Sequence, residues 1–214
     1  MTKLDFDMFE EFEQSFRRHC EELLRLGLEE LRDSGEVSID SHEDEFTRKI
    51  VSEMDKINQT EYNFPFRVTW DEKGKTGFNL DDENHPNTAK RVDITLDKVT
   101  TKGTTEYWIE CKRVASDDSD LLREYWHSGV KRFVDEFYAD KYSFAGMAGY
   151  IVGGSTQETA TKLEDRLRKY DEEVNLLEPW SEVREHRNMR TFQTSHLRDS
   201  CPDIELDHFM LQVQ

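Results

Sequence analysis

The stretch that decides the fold reads KRVDITL at 90–96 and, after a short polar turn, EYWIECKRV at 106–114. Both runs are rich in β-branched and aromatic residues, the composition of strands. Side chains alternate between the two faces of a strand. In the first run Val92, Ile94 and Leu96 share one face and Arg91, Asp93 and Thr95 the other. In the second, Tyr107, Ile109 and Cys111 oppose Trp108, Glu110 and Lys112. With both apolar sets turned to the core, Asp93, Glu110 and Lys112 converge on the opposite surface.

Two carboxylates and an ammonium on one surface suit metal-assisted hydrolysis of a phosphodiester. At an effective dielectric near 20, two carboxylates about 4 Å apart repel by about 4 kcal/mol. A hard divalent cation cancels that repulsion, and Mg²⁺ takes one or two carboxylates while keeping waters and a substrate phosphate. Such an ion polarises a phosphoryl oxygen and acidifies water. Lys112, two residues from Glu110, is placed to orient water or to neutralise charge on the phosphorane. Arg113 leans to the other face. The competing reading is an exposed hairpin face with ordinary solvated charges.

The sequence Val92-Asp93-Ile94, sixteen residues, then Ile109-Glu110-Cys111-Lys112 resembles the PD-(D/E)xK nuclease superfamily, whose fold is restriction-endonuclease-like. Val92 stands where that family has a proline. The resemblance implies an α/β core with a mixed central sheet flanked by helices. It also implies Mg²⁺ or Mn²⁺ held by Asp93 and Glu110, Lys112 as the catalytic lysine, DNA as substrate, and a place in host defence against foreign DNA. The family's first core helix often adds an acidic residue to the metal site. Glu43 is preferred for that part because it shares a helix face with Phe46 and Ile50; Glu45 is the second choice, and capping is the competing role for Glu43.

At 214 residues, the length suits one domain with a helical extension. We divide it into an extension at 1–35 and a nuclease domain at 36–214, the resemblance being best over 40–154. A hydrophobic share of 35%, with 13 Phe, 7 Tyr and 4 Trp, is enough for a core. Three Cys without paired spacing argue against a disulfide framework or zinc site and fit a reducing compartment. No charged-then-apolar leader opens the sequence and no apolar run approaches bilayer length, so a soluble, cytoplasmic protein is expected.

The net charge of −18 runs against the basic footprint of most nucleic-acid binders. Residues 1–60 carry much of it, with 17 acids against eight bases. Residues 184–198 lean the other way, with four Arg against one acid. A partner protein that holds the nucleic acid, or a non-catalytic assembly subunit with the same fold, is therefore the alternative function. RNA is not separable from DNA, since nothing in the sequence reads a 2′-hydroxyl.

Periodicity predicts an amphipathic helix over 5–33, through Phe9, Phe12, Phe16, Cys20, Leu23, Leu24 and Leu31, interrupted at Gly27. Packing on its own domain is slightly favoured over docking a partner or a second copy. A second helix is expected from Asp40-Ser41 to Asn58, opened by an Asp40–Glu43 capping box. FPFRVTW at 64–70 reads as a strand whose Pro65 confines its start to an edge, and 71–90 as a loop. His85 in that loop is read as merely exposed. A helix over 120–139 buries Leu122, Trp126, Val130, Phe133 and Phe137, and its flank offers Lys131 and Arg132 as nucleic-acid contacts. SFAGMAGYIVGG at 143–154 is a buried strand, and a helix over 157–172 follows, capped by Ser155 or Thr156. Gly153-Gly154 ahead of it could hold an anion, but without a phosphate-loop lysine the pair does not indicate nucleotide binding. TFQTSHLR at 191–198 and DIELDHFMLQV at 203–213 close the chain as a hairpin, with Arg198 a further candidate phosphate contact. Adjacent strand residues diverge, which argues against a Ser195–His196 catalytic pair.

Overall fold

The computed structural model describes residues 3–62, 66–70, 92–100 and 103–213. Pro65, the 71–90 loop with His85, and Arg91 lie outside the described residues. The chain opens with α1 (Lys3–Ser34) and α2 (Glu43–Ile57), the latter running into a wide π-type turn at Asn58–Tyr62. Strands β1 (Arg67–Trp70), β2 (Ile94–Thr100) and β3 (Gly103–Ala115) follow. After them come α3 (Ser119–Glu124), a π-helical turn (Tyr125–Val130) and α4 (Lys131–Val134). Strand β4 (Phe144–Gly153), α5 (Thr156–Leu167), β5 (Leu176–His186), β6 (Met189–His196) and β7 (Ile204–Gln212) complete it.

Among the described residues, seven strands form one mixed open sheet in the order β1-β2-β3-β4-β7-β6-β5. The β3–β4 and β4–β7 pairs are parallel and the others antiparallel. Parallel neighbours need a crossover. The α3–α4 run supplies one, and α5 with the β5–β6 excursion supplies the other. The C-terminal strands are therefore more than an addition: β7 lies beside β4 in the middle of the sheet, buried on both faces.

The pleat sorts residues into two cores. Tyr107, Ile109 and Cys111 of β3 join Phe144, Ala148 and Tyr150 of β4 under α1 and α2. Trp108 and Val114 join Ala145, Met147 and Ile151 on the other face, under Leu122, Trp126 and Leu163. Helix α1 is integral to the first core: Phe16, Cys20, Leu23, Leu24, Leu28 and Leu31 are all buried in it. Each such leucine contributes about 1.5–3 kcal/mol, and the face that could have docked a partner or a second copy is consumed from Phe16 onward. Gly27 is where α1 crosses α2, since a Cβ there would sit 2.8 Å from Met54 Cγ.

Several expectations are corrected. Val92 does not share a face with Ile94 and Leu96; the backbone bends at Asp93, and Val92 packs with Trp108 in the second core. The Asp40–Glu43 capping box does not form: His42 is the N-cap of α2, and Glu43 is its first helical residue. The helix expected over 120–139 stops at Val134, and Phe137 is 43% exposed rather than inward. Strand β5 was not anticipated. The box at Ser155–Glu158 does form and uses the Ser155 amide that an anion would need.

Candidate functional site

The site forms where β2 begins later than β3 continues. The last ladder pair is Ile94–Ile109, so β3 runs on past its neighbour with an uncovered edge. Unpaired backbone amides must find acceptors. Two carboxylates supply them: Asp93 Oδ2 accepts from the Cys111 amide at 2.7 Å, and Glu43 Oε2 from the Arg113 amide at 2.9 Å. Arg113 itself donates to Ile39 O at 2.9 Å and so fastens the loop that delivers α2.

Lys112 closes the group. Its ammonium donates to Glu110 Oε1 at 2.9 Å, Glu43 Oε1 at 3.1 Å and Cys111 O at 2.7 Å. Glu110, 3% exposed, also meets Arg132 Nη1 at 3.2 Å. The same Arg132 nitrogen donates to Tyr138 Oη at 2.8 Å. The Asp93 carboxylate on the Cys111 amide is close enough to Glu110 for the two charges to repel.

The electrostatics follow from burial and crowding. Asp93 is pushed up to about 7, first by burial and then by the Glu110 charge, with Lys112 and the Cys111 amide opposing. Burial likewise raises Glu110 against the pull of Lys112 and Arg132. Burial acts to lower Lys112, yet Glu110, Glu43 and Asp93 together outweigh it and hold the ammonium protonated well above neutrality. Carboxylates that resist ionisation beside one another invite a cation.

Among the described residues, no three His, Cys, Asp or Glu side chains are arranged so as to enclose a metal ion. The cation between Glu43 and Glu110 is the Lys112 ammonium. As a donor set, Asp93, Glu110 and Glu43 nonetheless fit a hard divalent ion: all are carboxylates, two of them held above their ordinary range.

Asp93, Glu110, Lys112 and Glu43 are thus brought together. Glu45 is not; it turns outward to Lys49 at 3.1 Å. Arg132 reaches the site through Glu110, whereas Lys131 pairs with Asp135 at 2.8 Å on the helix flank. Arg198 is corrected: it is buried and spends its guanidinium on Pro202 O, Ala139 O and Tyr142 O at 2.6, 2.9 and 2.6 Å. Tyr138 is the member that sequence reasoning missed. It lies past the end of α4, where helical spacing carries no information. His196 is buried with Thr194 and His208, apart from these residues. No protein-family model, curated protein or solved structure matches the chain.

Proposed function

We propose that the chain is a metal-dependent nuclease that hydrolyses phosphodiester bonds of DNA, built on a restriction-endonuclease-like core. The observation that carries this reading is the Lys112 ammonium lodged between Glu43 and Glu110, with the Asp93 carboxylate on the neighbouring Cys111 amide. In it Asp93 and Glu110, assisted by Glu43, hold Mg²⁺ or Mn²⁺, which when bound supplies charge neutralisation and a more acidic water. Lys112, protonated and anchored by two carboxylates, offers a fixed positive charge where negative charge grows on the phosphorane. Its hydrogen bonds to Glu110 and Glu43 also fix its direction. Arg132 stands ready to meet a phosphate oxygen beside Glu110, the bidentate geometry that guanidinium favours.

A second reading has its own observation. The carboxylates of Asp93 and Glu43 cap the free edge of β3, and Glu110 is neutralised by Lys112 and Arg132. These are structural duties, and a non-catalytic assembly subunit with a net charge of −18 would need nothing more from them. Helix α1 lends this reading no docking face over Phe16–Leu31.

Plasmid nicking separates the two. The nuclease reading expects Mg²⁺- or Mn²⁺-dependent conversion of supercoiled plasmid by the wild type, abolished by EDTA, Asp93→Ala and Lys112→Ala. Equal nicking by all three proteins, or none by the wild type alone or with proteins that co-purify with it, removes the assignment.

A further inference from the structure

Glu43 stands on the first turn of α2, whereas Glu110 and Lys112 stand on β3. The site needs these two elements to keep station with each other. The helix cap does not hold them there. His42, the N-cap of α2, makes no side-chain cap bond, and the amides that open a helix have no partners within it. A first turn that frays would carry Glu43 away from Lys112 and from the Arg113 amide.

One hydroxyl beneath the site joins the two elements. Tyr150 lies in β4, the parallel neighbour of β3, and is 1% exposed. Its ring stacks on Phe46 of α2, with 5.2 Å between centroids and 25° between planes. Its hydroxyl donates to Cys111 Sγ at 3.3 Å and lies 3.1 Å from Thr47 Oγ1. Thr47 in turn donates to Glu43 O at 3.0 Å, across the first turn of the helix. Cys111 is the residue between Glu110 and Lys112. A phenol buried this deeply requires polar partners, and its two partners belong one to α2 and one to β3. Phenylalanine would fill the same core without that requirement, so packing alone does not account for the hydroxyl.

We propose that Tyr150 is a positioning residue of the carboxylate site. Through Thr47 and Cys111 its hydroxyl sets the spacing of α2 and β3, and with it the reach of Glu43. The catalytic consequence rests on the nuclease reading; the anchoring of Glu43 rests on geometry alone. Tyr150 acts through Glu43 and not on a reacting atom. Glu43 spans two partners, Lys112 Nζ at 3.1 Å and the Arg113 amide at 2.9 Å. Hydrogen bonds of that length weaken steeply when their angles are spoiled, so a small drift of the helix start is felt at both.

The test compares the wild type with Tyr150→Phe, which keeps the ring and its stack on Phe46. Amide hydrogen exchange reads the position of Glu43 without any ion. The Arg113 amide is held by Glu43, and the Cys111 amide on the same strand by Asp93. Exchange at Arg113 is expected to quicken about tenfold, the order of one lost hydrogen bond, with Cys111 unchanged. Thr47→Val should repeat that pattern, and the double variant should add little to either single one. Thermal melts confirm that the variants fold. On plasmid, Tyr150→Phe is expected to lower kcat about tenfold and to leave KM as it was. Exchange that quickens equally at both amides, or at neither, overturns the proposal, because lost packing loosens the strand as a whole. So does a Tyr150→Phe variant that nicks as fast as the wild type. A wild type that nicks nothing, with Arg113 still quickened alone, removes the nuclease reading and leaves the anchoring of Glu43 in place.

Discussion

Asp93 accepts a hydrogen bond from the Cys111 amide at 2.7 Å, standing in for the strand partner that β2 no longer provides at that level. A carboxylate is thereby held largely buried near Glu110, and is pushed up to about 7 by that burial and that charge. An unfolded aspartate titrates near 3.9. Between these values the folded state binds more protons than the unfolded one, so stability contributed here is greatest below pH 4 and falls as pH rises through 7. Asn keeps the acceptor and drops the charge. Asp93→Asn is expected to raise stability at pH 8 by up to about 4 kcal/mol, the free energy of a three-unit gap, and by less to the extent that Asp93 retains water. The gain should vanish at pH 4. Urea melts of both proteins at the two pH values check this; a pH-independent difference would refute it.

Much of this arrangement was legible beforehand because it depends on alternation. Once the two runs are neighbouring strands, alternation fixes which side Glu110 and Lys112 occupy and brings Asp93 to the same end of the pair. Helix periodicity likewise gave Glu43 rather than Glu45. The bend at Asp93 was not legible, since Val92 is as good a strand residue as Ile94; only the Trp108 core draws it aside. Nor was the end of α4. Glu136 takes a left-handed conformation usually left to glycine, and a turn held by amides 64 and 65 residues away leaves no local signal. Strand β5 hides for a different reason: as an edge strand with most side chains exposed, it has no apolar alternation to read.

Lys112 is the internal counter-ion of the site, and removing it exposes a conflict. In Lys112→Met the Glu43 and Glu110 carboxylates lose their shared ammonium, leaving Glu110 with Arg132 alone. Breaking a buried pair costs about 3–5 kcal/mol; the remaining Arg132 should hold the loss to about 2 kcal/mol. If these carboxylates suit a hard dication, Mg²⁺ should raise the melting temperature of the Met variant more than that of the wild type, because at a given concentration an ion stabilises the folded state more the more tightly it binds there. Differential scanning calorimetry with and without Mg²⁺ reads this directly. A Met variant indifferent to Mg²⁺ argues against the carboxylates as ion ligands.

The second core holds a chain of hydrogen bonds whose direction is fixed by one end. Val174 O only accepts, so His196 Nδ1, at 2.7 Å, carries the proton. Thr194 then donates to His196 Nε2, accepts from His208 Nε2, and Tyr125 donates to His208 Nδ1. Both rings are neutral in this arrangement, and burial lowers His196 to about 4 and His208 well below its ordinary value. Unfolded histidines protonate near 6.5, so stability from this pair is complete above that pH and is lost as pH falls from 6.5 toward 4. Thr194→Val keeps the shape and removes the link, leaving a buried acceptor and a buried donor unmet, at about 1–3 kcal/mol. Histidine NMR should show both rings neutral at pH 6 in the wild type; a ring that titrates near 6.5 contradicts the assignment.

Arg198 looks from the sequence like a phosphate ligand and acts in the structure as a rivet. It is 4% exposed, and its three bonds go to the carbonyls of Pro202, Ala139 and Tyr142. Lysine carries the charge but not the fork that reaches several acceptors at once. Both Arg198→Lys and Arg198→Ala should therefore destabilise, the latter by about 2–4 kcal/mol as carbonyls lose their donors. The effect should concentrate in the turn around Phe137, where hydrogen exchange of the Phe137 and Tyr138 amides, both bonded to Arg132 O, would quicken first. Loss of a surface phosphate contact makes the opposite pattern: unchanged melting and exchange, with weaker, less salt-dependent binding of nucleic acid. A variant of that kind would return Arg198 to the interface.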